Sequence, residues 1–183
     1  TKDGEFISTW GHNGNGDGEF NYPWGIEIDR NGDVYVADWR NDRIQKFDRD
    51  GRFLMKFGSP GKGDGEFNRP SGVAVDKDGI IYVTDFKNDR LQVFDAEGKY
   101  ITQMIGDATL SKWGITKMDA NPDTKRQREI GQGLEWEKFL RGPIGVVVDD
   151  ENSVLIVDSL RNSIHIFRKI PPFFVGLYDG GRL

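Results

Sequence analysis

The sequence predicts an all-β fold of repeated four-stranded antiparallel units, and three observations carry that expectation. A 41-residue stretch beginning at Gly16 recurs 47 positions later with 20 identities. Its apolar residues fall in short, β-branched runs of about five, the length of an ordinary strand. Asp-Gly, Glu-Gly and similar pairs, which tolerate positive φ, punctuate those runs. The 24 glycines are about 13% of the 183 residues, nearly twice the usual ~7%, as many tight turns require.

The second unit, residues 63–103, shows the elements in order. Residues 72–76 predict an inner strand, Lys77-Asp78-Gly79 turns the chain, and residues 80–84 return. A polar link at 85–89 leads to a third strand at 90–94. Residues 95–98 turn again into a fourth strand at 100–105. The first unit, residues 16–56, repeats this plan without a gap. Four strands in a unit of 40–50 residues are the signature of a β-propeller blade.

A third copy begins at Pro143 at an offset of 73, keeping Gly145, Asp149, residues 154–158 and Phe167 in register. At the front, residues 3–7 with Trp10 and Gly11 match residues 50–54 with Phe57 and Gly58. The expected organisation is the outer strand of a preceding blade at 1–11, blades at 16–58 and 63–106, an insertion at 107–142 and a divergent last blade at 143–178. That is about three and a quarter blades of a partial six-bladed ring. The end blades would expose apolar faces, so either the rest of a longer propeller or a second copy of the chain is expected to close the ring.

In the insertion, Asn121-Pro122-Asp123 supplies an N-cap, a first-turn proline and an acidic first turn, predicting a short helix over residues 123–130. Gly131 and Gly133 stop it. Trp113, Trp136 and Phe139 give the segment apolar surface to pack down.

The motifs are specific. Pro-x-Gly-(Ile/Val)-x-(Ile/Val)-Asp stands at 23–29 and 70–76, Val-Tyr-Val-Ala-Asp at 34–38, and Asn-Asp-Arg-Ile-Gln-Lys-Phe at 41–47, with close copies at 81–85 and 88–94. With them the chain resembles NHL repeats, as found in bacterial stand-alone six-bladed propellers, of which it matches the C-terminal half. The resemblance implies a rigid platform whose ligand or partner surface is the face around the channel entrance. That face carries the loops from each outer strand to the next inner strand, and therefore the insertion. The third copy departs from the pattern: Ser163 replaces the arginine found at 43 and 90. The Asp-to-Arg link suggested by Asp38/Arg43 and Asp85/Arg90 is thus absent there or replaced by Arg161.

Composition narrows the chemistry. A net charge of −5 argues against general polyanion binding, and no apolar run reaches the ~18 residues of a membrane-spanning helix, so a soluble protein is expected. Zero cysteines remove disulfides and thiolate chemistry, and two histidines cannot form a three-His metal site. The glycine-rich loops at 14–18 and 61–65 lack EF-hand ligand spacing and read as turns, so no metal is assigned. Some six-bladed propellers are calcium-dependent lactonases. Here Glu27, between Ile26 and Ile28 on an inner strand, is the one candidate channel carboxylate, with Ala74 and Val147 in the equivalent places. His12 is expected in an exposed loop, and His165 is expected to face solvent.

The reading favoured by the sequence is a non-catalytic scaffold that binds a protein or a small ligand. Its candidate contacts are Trp24, Trp39, Trp113, Arg126, Arg128 and Trp136. The alternatives are a calcium-dependent lactonase or hydrolase and, less favoured, an RNA-binding domain. Basic residues from Arg40 to Lys56 interleave with Asp42, Asp48 and Asp50, so that run reads as a mixed-charge surface.

Overall fold

Strand length in each repeat is set by the aspartate that follows an apolar run. Asp29, Asp48, Asp76, Asp95 and Asp149 each accept the backbone N–H groups two and four residues on, at 2.7–3.1 Å. Each carboxylate therefore satisfies a tight turn that would otherwise leave donors unpaired. The computed structural model describes residues 4–106 and 139–168.

Those turns connect antiparallel strands into blades. A two-residue parallel pair, β1 (His12–Asn13) with β2 (Glu19–Phe20), precedes the first blade. That blade comprises β3 (Pro23–Ile28), β4 (Val34–Asp38), β5 (Arg43–Phe47) and β6 (Phe53–Phe57), hydrogen-bonded in that order. A second parallel pair, β7 (Ser59–Pro60) with β8 (Glu66–Phe67), leads into the next blade. There β9 (Pro70–Val75), β10 (Ile81–Asp85), β11 (Arg90–Phe94) and β12 (Tyr100–Met104) repeat the order. Among the described residues the third blade has three strands, β13 (Pro143–Val148), β14 (Ser153–Asp158) and β15 (Ser163–Arg168).

The core lies between blades. Tyr35, Ala37 and Ile44 of the first blade meet Val73, Ile81, Val83 and Phe94 of the second. Ala74, Tyr82, Leu91 and Val93 on the other face of the second blade meet Leu140, Val146, Val154 and Ile156. One strand thus serves two interfaces, which is why its residues are apolar on both faces.

At the axis the inner strands run backbone to backbone. A Cβ on Gly25 would stand 2.4 Å from the Ser71 carbonyl oxygen, and one on Gly72 3.0 Å from the Gly145 Cα. The Pro-x-Gly motif is therefore a packing requirement at the blade junction.

At the N-terminal end, Trp10 packs on Phe47 at 4.6 Å and against Gly51. Phe57 stands in the same relation to Phe94, at 4.9 Å, and Gly98. Trp10 thus occupies the outer-strand place of a preceding blade, although residues 4–11 join no ladder there.

One expectation is corrected. His165 does not face solvent: it is 6% exposed, while its neighbours Ile164 and Ile166 are 65% and 67% exposed. It takes the register position of Gln45 and Gln92, which point into the blade. The isoleucines sit on the face that a further blade covers elsewhere in the fold. The predicted helix at 123–130 lies outside the described residues.

Candidate functional site

In each blade the link between the second and third strands and the link to the next blade lie on the same edge, because the strands alternate in direction. A buried Asp–Arg pair stiffens that edge. Arg43 Nε donates to Asp38 Oδ2 at 2.9 Å, and Arg90 Nε to Asp85 Oδ2 at 2.9 Å, with all four residues at most 6% exposed. The guanidinium and the glutamine two residues on then grip the preceding glycine loop. Arg43 Nη2 donates to the Gly16 and Glu19 carbonyls, and Gln45 Nε2 donates to the Glu19 carbonyl while its Oε1 accepts from Gly18 N. Arg90 and Gln92 do the same to residues 63–66. Charges so fully hydrogen-bonded can stand burial.

The acidic residues of the glycine loops are engaged in the same framework. Glu19 accepts from Gly16 N at 2.8 Å, which holds its carboxyl below the usual range, and it meets the exposed His12 at 3.1 Å. Glu66 accepts from Lys62 N and Gly63 N. Among the described residues no group of three or more His, Cys, Asp or Glu side chains comes together as a metal set would.

On this stiffened edge lies an aromatic and cationic cluster. Trp24, at the start of β3, is 60% exposed and packs on Trp39, just past β4, with ring centroids 5.3 Å apart. The Arg69 guanidinium, from the second blade, lies 5.1 Å over Trp39, and Arg40 lies 4.1 Å over Tyr22. Tyr22 and Arg69 hold positive φ of 57° and 65°, an uncommon state for bulky residues. Arg69 is fixed there because Asp42 Oδ1 accepts its backbone N–H at 2.7 Å. The two tryptophans are thus brought together. Arg40, Arg69 and Tyr22 complete the cluster; the sequence marks Arg40 only as the start of a mixed-charge run and singles out neither Arg69 nor Tyr22, although Arg69 precedes the Pro-x-Gly motif.

The same edge holds both ends of the insertion. Leu140 N donates to the Ile105 carbonyl at 2.8 Å, and a depression of about 520 Å³ beside them is lined by Asn88, Asp89, Phe139, Arg141 and Arg161. Trp113, Arg126, Arg128 and Trp136 lie outside the described residues. Glu27 is half-buried on β3 opposite Tyr35, and burial pushes its carboxyl up. It shares the register position of Ala74, which faces the following blade.

In the last blade the Asp–Arg link is rebuilt. Asp158 accepts Arg141 N at 2.8 Å, with His165 Nε2 at 3.4 Å and Arg161 Nε at 3.9 Å. Burial pulls the His165 imidazole below its ordinary value.

Known proteins share this architecture. A protein family described as a 6-bladed beta-propeller matches residues 31–112. Protein lin-41 of Caenorhabditis elegans is 54% identical over 43 residues, covering 24% of this chain and 4% of that protein. The chain is a β-propeller similar to NHL-repeat proteins. A solved protein of unknown function from Bacteroides thetaiotaomicron has the same fold, with a TM-score of 0.55 at 22% identity over 79% of this chain and 34% of that one. A virginiamycin B lyase from Staphylococcus aureus gives a TM-score of 0.46 at 17% identity, covering 82% of this chain and 42% of the lyase. The chain thus spans less than half the length of each of these relatives. Among the described residues, no helix is long and apolar enough to cross a membrane.

Proposed function

We propose that this NHL-type propeller is a non-catalytic scaffold that binds a protein partner or a small ligand through the face carrying Trp24 and Trp39. The observation that carries the proposal is the exposed Trp24 packed on the half-buried Trp39, held beside two arginines on an edge stiffened by buried ion pairs. Exposed aromatic and arginine side chains on a rigid support are the usual anchors of a binding surface. Among the described residues, Asp29 caps a turn, Glu66 holds a glycine loop and Asp85 pairs with a buried arginine. Trp113, Arg126, Arg128 and Trp136 of the insertion are further candidate contacts, since both ends of that segment meet on the same face.

The test uses residues the fold already accepts. The second blade carries Ser71 and Phe86 where the first carries Trp24 and Trp39. A Trp24→Ser, Trp39→Phe chain should keep its melting temperature yet lose at least about tenfold in capture of whatever the parent chain retains. An unchanged set of captured species, at unchanged yield, contradicts the reading.

A further inference from the structure

We propose that the partner taken at the Trp24–Trp39 face is an acidic polypeptide segment, its carboxylates held by Arg40, Lys62 and Lys87. This rests on the reading of that face as a binding surface. The distribution of charge along the edge carries it. On the links that form this edge, Arg40, Lys62, Lys87 and Arg141 are exposed, and none of their side chains has an acidic partner among the described residues. The carboxylates of the same links are turned inward. Asp42 accepts Arg69 N and Asp89 accepts Gly142 N, both at 2.7 Å. Glu19 and Glu66 hold their glycine loops, and Asp17 pairs with Lys56. Asp64, exposed and without such a contact among the described residues, offsets one cation. A chain of net charge −5 thus presents one edge that is locally cationic.

Backbone contacts join these cations into a row. Arg69 Nη1 donates to the Arg40 carbonyl at 3.3 Å, and Lys87 N donates to the Asn68 carbonyl at 3.0 Å. Lys62 and Lys87 line one depression of about 310 Å³. The row therefore runs from Tyr22 and the tryptophans, across the first junction, onto the second blade. The rings favour a peptide over a nucleic acid, because single strands bind by stacking bases on open ring faces. Here Arg40 covers Tyr22 at 4.1 Å, Arg69 covers Trp39 at 5.1 Å, and Trp24 packs on Trp39. A guanidinium over a ring still has in-plane N–H groups to offer, and that fork matches a carboxylate. Trp24, 60% exposed, is the apolar anchor for the same segment.

The test is fluorescence anisotropy of the full chain at low salt with three labelled probes. They are a Glu-rich peptide with one central Phe, the same peptide with Gln for every Glu, and an oligouridine RNA of equal charge. The acidic peptide should bind at least about tenfold tighter than either other probe. Arg40→Gln with Lys87→Gln should weaken it by at least about tenfold, with the melting temperature unchanged. Lys77→Gln with Lys99→Gln removes the same charge from turns on the opposite edge and should leave binding unchanged. Equal binding of the two peptides, tighter binding of the RNA, or equal loss in both charge variants overturns the proposal. The Trp24→Ser, Trp39→Phe chain separates this from the reading beneath it. If that chain loses the acidic peptide while the Arg40, Lys87 variant keeps it, the binding face stands and the acidic partner falls. If neither chain loses it, both fall.

Discussion

Arg90 shows how much one side chain carries in this fold. It pairs with buried Asp85, bonds Gln103 and holds two carbonyls of the glycine loop. Arg90→Met leaves the Asp85 charge buried without its cation, so urea unfolding should show a loss of about 3–5 kcal/mol. His165 gives a prediction in pH. Its folded value lies below the ordinary 6.5, so its contribution is present above about pH 6.5 and is lost as pH falls from there through the folded value. His165→Gln restores the residue found at positions 45 and 92. Stability measured by denaturant at about pH 7.5 and about pH 5.5 should therefore differ less in the variant than in the parent. A larger difference in the variant contradicts this account of His165.

Strands, turns and junctions follow closely from the repeat, because each depends on residues near one another in sequence. The Asp–Gly turns, the Asp–Arg link and the strand spans around Val83 and Leu91 were legible for that reason. The orientation of His165 was not, since alternation alone cannot say which face a neighbouring blade covers. The Trp39–Arg69 contact was hidden as well: it joins two blades through a residue at positive φ that Asp42 fixes from the preceding one. At this scale the inner-strand glycines are the sharpest test. Gly25→Ala drives a Cβ into the Ser71 carbonyl, and calorimetry should show a loss of about 1–3 kcal/mol. The same substitution at Gly18, where nothing lies within 4 Å, tests backbone strain alone, because its φ is +79°.

At the scale of the whole molecule, the edge stiffened by the buried Asp–Arg pairs supports the proposed binding surface. The scaffold reading predicts a melting temperature indifferent to millimolar calcium or EDTA; a rise of several degrees with calcium would favour the hydrolase reading instead. The most direct measurement compares what the parent chain captures with what its Trp24→Ser, Trp39→Phe variant captures. The account predicts at least about tenfold lower capture by the variant at an unchanged melting temperature. Equal capture by both chains would contradict it.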